Sequence, residues 1–167
     1  MHHPLLQIVD ENDNPIGAAT KEEAISGSNF HRISRIMLEN PDGKILLQKR
    51  TMNVVFPGLW DHSAAGHVDE GEDYLTAAKR EMFEEIGVKT DLEEVAYYKH
   101  EEKVDGYVLR RFNKLYKGTI DFTPNNLNKD EVSEVKWFSL EEIKDMIKNR
   151  PNEMTKGLKY VIGRHYL

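Results

Sequence analysis

The sequence predicts a mixed α/β domain built of layered strands and helices, on three observations. Alternating apolar residues mark strands on both sides of one helical stretch at 75–86. Two further helical segments close the chain. No internal repeat, low-complexity tract or interdomain linker divides its 167 residues. That length suits one domain, 1–167, with residues 1–30 as an N-terminal extension.

Taken in order, residues 5–9 and 15–19 read as strands around the Asp- and Asn-rich turn at 10–14. Thr20 and Glu23 form a capping box and Gly27 supplies a stop, so residues 21–26 make a short helix over one sheet edge. Residues 31–39 and 44–50 alternate around Pro41, Asp42 and Gly43, which predicts an antiparallel pair ending in Lys49 and Arg50. Residues 51–60 form a loop whose Phe56 and Trp60 either cover the core or line a ligand pocket, and 61–65 form a short extended entry into Gly66.

In the helix at 75–86, Leu75, Met82 and Ile86 share an anchoring arc, and Gly87 ends it with a residue that tolerates the left-handed conformation. Residues 92–101 and 107–117 pair around Val104, Asp105 and Gly106. A short strand at 119–122, a polar loop at 124–129 and a strand at 132–138 follow. Ser139 and Glu142 cap a helix running to residue 148. Pro151 begins the last helix, with Met154, Leu158, Val161 and Ile162 as its apolar stripe.

Hydrophobic residues make up 39% and charged residues 31% of the chain, the balance of a folded domain rather than a disordered one. The net charge of −6 excludes a protein that grips a nucleic acid polymer by neutralising phosphates. The absence of cysteine excludes disulfides, thiolate metal sites and cysteine nucleophiles. His2 and His3 alone do not make a metal site. No apolar run reaches signal-peptide or membrane-helix length, so the expectation is a cytoplasmic protein without a membrane partner.

The chemistry concentrates in residues 66–88, GHVDEGEDYLTAAKREMFEEIGV. Glu81, Glu84 and Glu85 stand at i, i+3 and i+4, so a helix places their carboxylates in one surface patch. At a separation of about 6 Å and an effective dielectric of about 20, each pair repels by roughly 3 kcal/mol. Arg80 offsets part of this through Glu84 at i+4 or through Glu72. A divalent cation with oxygen ligands suits the remainder, and Mg²⁺ accepts one or two carboxylates together with water and substrate phosphates. The same cation would reconcile an acidic protein with an anionic substrate, a spare glutamate acting as general base.

The spacing Gly66, five residues, Glu72, seven residues, Arg80, Glu81, Met82, one residue, Glu84, Glu85, one residue, Gly87, Val88 resembles the Nudix box at every specified position. The resemblance implies the Nudix fold, an α/β (α+β) arrangement with a mixed β-sheet sandwiched between helices. It also implies hydrolysis of a nucleoside diphosphate linked to another group, with Mg²⁺ or Mn²⁺ as cofactor. Carried over by position, Glu84 and Glu85 are the main metal ligands and the Gly66 carbonyl a further one. Glu81 is a ligand or the base, and Glu72 with Arg80 braces the helix. Residues 134–142, EVKWFSLEE, are similar to the strand-to-helix segment near Nudix C-termini, and homodimers are common in the family.

The runs VDENDNPIG, HRISRIMLENPDGKILLQKR and PGLWDHSAAGHVDEGE resemble the Nudix branch of the isopentenyl-diphosphate isomerases. Those isomerases carry a cysteine where this chain has Ala65, and a glutamate on the strand matching residues 107–116, where this chain has none. His31 and His67 match isomerase metal ligands; their alternative role is hydrogen bonding within the pocket. Lys49, Arg50 and Arg35 are candidate ligands for substrate phosphates, or a basic sheet edge paired with surface acids. Three functions follow: a Nudix hydrolase of a small nucleotide or other diphosphate, an isomerase-like enzyme, and a nucleotide-sensing module without catalysis.

Overall fold

The computed structural model describes residues 4–167, so His2 and His3 lie outside the described residues. Its elements are β1 (Leu6–Val9), β2 (Pro15–Ala19), α1 (Lys21–Ser26), β3 (Phe30–Glu39), β4 (Ile45–Arg50), β5 (Trp60–Asp61), β6 (Ala64–His67), α2 (Tyr74–Ile86), β7 (Glu93–Val104), β8 (Tyr107–Thr119), β9 (Val132–Phe138), α3 (Leu140–Asn149) and α4 (Lys156–His165).

The strands form one mixed sheet centred on β3. Along one edge β3 pairs in parallel with β8, from Phe30 opposite Arg110 to Glu39 opposite Thr119. Its other edge is shared by β1 at Phe30 and His31, β6 from Ile33 to Ile36, and β4 at Leu38 and Glu39, all antiparallel. The expected β3–β4 hairpin therefore opens after two paired residues, and β6 enters the fork with Gly66 and His67. Buried Ser63 splices that fork: its hydroxyl donates to the Leu46 carbonyl and accepts from the Leu38 amide at 2.8 Å.

The period of two along the strands divides the core into two layers. Ile36 and Leu38 of β3 and Leu46 of β4 pack with Ala77, Ala78, Met82 and Ile86 of α2. Met37, Ile45, Leu47 and Leu115 pack on the other face with Ile143 and Met146 of α3 and Leu158, Val161 and Ile162 of α4. The sheet is thus held between helices, as the sequence implied. Both capping boxes form, Thr20 with Glu23 and Ser139 with Glu142. Among the described residues no helix is long and apolar enough to cross a membrane.

Four local expectations are corrected. Leu75 points the same way as Met82 but sits in the first turn of α2, where it stays 38% exposed; Tyr74, Ala77 and Ala78 anchor that end instead. No strand forms at 119–122, because β3 ends opposite Thr119 and leaves no partner beyond it. Pro151 opens only a 3₁₀ turn, Pro151–Glu153, and the last α-helix begins after Thr155. Contacts invisible in local sequence set that start: the Thr155 amide donates to the Trp60 carbonyl at 3.0 Å and its hydroxyl to Asp61 Oδ1 at 3.0 Å. Finally, the segment at 61–65 is split between β5 and β6. Trp60 enters the core edge-on to Phe138, while Phe56 remains 56% exposed at φ 55°.

Candidate active site

Arg80 ties the loop leading into α2 to the middle of the helix. Its guanidinium donates from Nε to Glu72 Oε2 at 2.8 Å and from Nη2 to Glu72 Oε1 at 2.9 Å, a bidentate pair. It also reaches the His67 carbonyl at 3.1 Å, Glu81 Oε1 at 2.9 Å, Glu84 Oε2 at 3.2 Å and Asp69 Oδ2 at 3.3 Å. Burial alone would raise the Glu72 carboxyl, but hydrogen bonding and charge from Arg80, with the Asp69 amide, outweigh it and lower its pKa. Arg80 is accordingly held even more firmly protonated than an ordinary guanidinium, chiefly by its hydrogen bond to Glu72.

The three helix glutamates do not form the single surface patch expected of them. Glu84 is half-exposed, Glu81 is largely covered, and Glu85 is buried. Glu85 Oε1 accepts from Gln48 Nε2 at 2.7 Å and from the Ala65 amide at 3.4 Å. Glu81 packs onto the backbone of Gly66, where an added Cβ would overlap its carboxyl group. Gly66 is therefore required for close approach rather than for an unusual backbone angle. Burial pushes Glu85 well above the usual carboxylate pKa, and the charge of Glu81 adds to this; burial also raises Glu81. The two carboxyl groups are neighbours, so the charge of one disfavours ionisation of the other.

This donor set fits a hard divalent cation. Glu81 and Glu85 offer sheltered oxygens beside the Gly66 backbone, Glu84 reaches solvent one turn away, and burial disfavours the charged forms of Glu81 and Glu85, a cost that a cation would offset. Among the described residues no group of three or more His, Cys, Asp or Glu side chains is gathered into a cage that could hold a metal ion. Mg²⁺ needs no such cage, since it retains waters and takes substrate phosphates as ligands.

Of the candidate phosphate ligands, Arg50 is committed locally: Nε donates to the Val55 carbonyl at 2.6 Å and Nη1 to Asp61 Oδ2 at 3.2 Å, which pins the 51–59 loop. Lys49 lies over the Trp60 ring, 5.8 Å from its centroid. Arg35 points to the face opposite α2, where Nε donates to Asn113 Oδ1 at 2.9 Å. His31 and His67 meet on that same face with ring centroids 5.4 Å apart. Burial lowers the His31 pKa to about 4 and drives His67 well below its ordinary value, so both rings are neutral.

Sequence reasoning assigned no role to Gln48, Asp61, His62, Arg111 or Asn113. Asp61 Oδ1 accepts from His62 Nδ1 at 2.7 Å, and burial is outweighed by that bond and by the charges of His62 and Arg35, so the carboxyl stays ionised. One signal for Gln48 was present, since the alternation of β4 places it beside Leu46 on the face covered by α2.

The domain is a mixed sheet between helices, with a glycine-entered acidic helix on one face and the cluster of Arg35, Asn113, His31 and His67 on the other. The chain belongs to the Nudix family: the NUDIX domain model matches residues 29–158. An isopentenyl-diphosphate Delta-isomerase 2 of Photorhabdus laumondii is 33% identical over 161 residues, covering 95% of this chain and 90% of that one. A prenyl-diphosphate phosphatase of Methanosarcina mazei is 28% identical over 159 residues, covering 93% and 91%. The crystal structure of a Deinococcus radiodurans protein superposes with a TM-score of 0.82 at 24% identity, covering 98% of this chain and 99% of that one.

Proposed function

We propose that the protein is a divalent-metal-dependent Nudix hydrolase that cleaves the diphosphate linkage of a small molecule, a nucleoside diphosphate derivative being the first candidate. The observation that carries this reading is the sheltered Glu81–Glu85 pair, with Glu81 packed against Gly66 and Glu85 buried against Gln48. Glu81, Glu84, Glu85 and the Gly66 carbonyl would hold Mg²⁺ or Mn²⁺. Such a cation supplies charge to the phosphate oxygens and acidity to a bound water. Arg80 fixes the loop and helix so that the carboxylates keep their spacing, and Glu81 or Glu84 would accept the proton of the attacking water. Glu72 acts through Arg80, as a positioning residue.

Prenyl diphosphates form a second substrate class, supported by similarity to a protein named a prenyl-diphosphate phosphatase. The isomerase reading is supported by 33% identity to a protein of that name, but the groups for proton transfer at carbon are not those of the isomerases. Ala65 stands where they carry cysteine, and β8 holds no carboxylate. A sensing module would not need three spaced acids around one helix.

The test is a panel of nucleoside triphosphates, nucleotide sugars, dinucleotides and prenyl diphosphates incubated with Mg²⁺ or Mn²⁺, with products identified. Glu84→Gln and Glu85→Gln should each lower turnover by about 10²-fold or more while circular dichroism is unchanged. Full activity in both variants would remove the metal-site assignment. Interconversion of isopentenyl and dimethylallyl diphosphates without hydrolysis would favour the isomerase instead.

A further inference from the structure

One group of buried polar side chains has no part in that chemistry, and it lies on the face of the sheet opposite α2. Register places His31 of β3 beside Arg111 of β8, and Ile33 between Asn113 of β8 and His67 of β6. Adjacent strands are about 5 Å apart, so side chains sharing that face are neighbours. Arg35 joins them through Asn113 Oδ1 and lies against α4, where a Cβ on Gly157 would stand 2.9 Å from its Nη1. Four atoms in this group are buried without a partner: His31 Nε2, His67 Nε2, Arg111 Nε and Asn113 Nδ2. Groups so buried are ordinarily satisfied, by protein, water or a ligand.

The unmatched groups specify what is missing. Arg111 Nε and Asn113 Nδ2 are donors. His31 is the reverse: its Nδ1 lies 3.1 Å from the Asn29 carbonyl, which only accepts, so the proton of the neutral ring is on Nδ1 and Nε2 offers a lone pair. Charge points the same way. Arg35 and Arg111 repel each other across this face, and Lys21 adds a third positive charge near the histidines. The facing acids Asp61 and Glu102 offset part of this charge through space, but their hydrogen bonds go elsewhere, Asp61 to Arg50, His62 and Thr155, and Glu102 to Lys156 and His100. A water would satisfy single atoms without offsetting the positive charge that remains, and a second cation would add to the repulsion.

We propose that Arg35, Arg111, Asn113 and His31, with His67 beside them, form a subsite for a phosphate group that still carries a proton. The guanidinium and amide N–H groups donate to its charged oxygens, and its P–OH donates to the His31 Nε2 lone pair. In a diphosphate hydrolase this group is either released phosphate or the phosphate end of the substrate. That use rests on the hydrolase reading; the binding itself does not.

The experiment is calorimetric titration of the full chain in EDTA at pH 6.5 with inorganic phosphate, sulfate and methyl phosphate. Phosphate should bind at least about tenfold more tightly than sulfate, which has no proton to give His31. Arg111→Gln should weaken phosphate at least about tenfold, whereas Lys144→Gln, which removes the same charge from the exposed face of α3, should leave it unchanged. Methyl phosphate binding as tightly as phosphate identifies a substrate end as the ligand; phosphate binding alone identifies the free ion. Equal affinity for phosphate and sulfate overturns the proposal, and that comparison needs no variant. Without EDTA, Mn²⁺ binding that disappears in a His31→Asn, His67→Asn double variant overturns it as well. Because the chelator removes metal catalysis, these outcomes are separate from the fate of the hydrolase reading.

Discussion

On the α2 side of β6, Gly66 makes room for the Glu81 carboxyl and Glu85 is buried against Gln48; on the other side, His67 shares a face with His31, Arg111 and Arg35. Each side gathers charge of one sign, negative on the first and positive on the second. The acids are gathered by one helix, whose turns bring Glu81 and Glu85 together. The cations Arg35 and Arg111 are gathered by two strands far apart in sequence, β3 and β8. The sheet stands between the two clusters, and β6 supplies Gly66 to one face and His67 to the other.

The largest test of the acidic side is Arg80→Ala. It would leave Glu72 and Glu81 without the guanidinium that bonds both, and release the His67 carbonyl. Breaking a largely buried charge network from one end costs about 3–5 kcal/mol, so the urea midpoint should fall steeply. Arg80→Lys should recover part of the loss, since it restores charge without the bidentate fork. A midpoint within error of wild type would show that the loop holds its shape without Arg80.

Acidity separates the two sides next, because they tilt stability in opposite directions. The His31 pKa is about 4 in the folded chain and 6.5 when free, so the unfolded state binds more protons between those values and stability is lost as pH falls through that window. The full loss is about 3 kcal/mol, at roughly 1.4 kcal/mol per unit. Glu85 does the reverse: its folded pKa lies well above the ordinary value of 4.5, so metal-free stability declines as pH rises from there toward the folded pKa. Thermal melts in EDTA should show the decline flattened by Glu85→Gln and the acid loss reduced by His31→Asn. Adding Mg²⁺ should stabilise the wild type most at the higher pH, where the carboxylates are free of protons. Melting curves of wild type and Glu85→Gln with the same pH dependence would sink the account of the acidic side.

The contrast also explains what was legible. Capping boxes and the acidic motif are local patterns, so α1, α3 and the spacing from Gly66 to Glu85 could be read from consecutive residues. Burial of Glu85 was within reach too: at 3.6 residues per turn it lies about 20° from Tyr74, which faces the core, as does Glu81 on the other side. Asn113 meets Arg35 across 78 positions and Gln48 meets Glu85 across 37, distances that only the sheet register resolves. Thr155 rather than Pro151 starts α4 for the same reason, since its partners are on β5.

Gly66→Ala is the smallest change and bears on both sides at once. The added methyl would overlap the Glu81 carboxyl, and the strain of fitting one extra carbon into a packed site costs about 1–3 kcal/mol. Glu81 is the part that can yield, because its side chain has rotamers and the paired β3–β6 backbone does not. The expected result is therefore a modest drop in melting temperature with a large loss of Mg²⁺ stabilisation, while phosphate binding on the far side of β6 is retained. Parallel loss of both ligands would mean that the variant shifts β6 itself, and that the two clusters are one mechanical unit rather than two neighbouring sites.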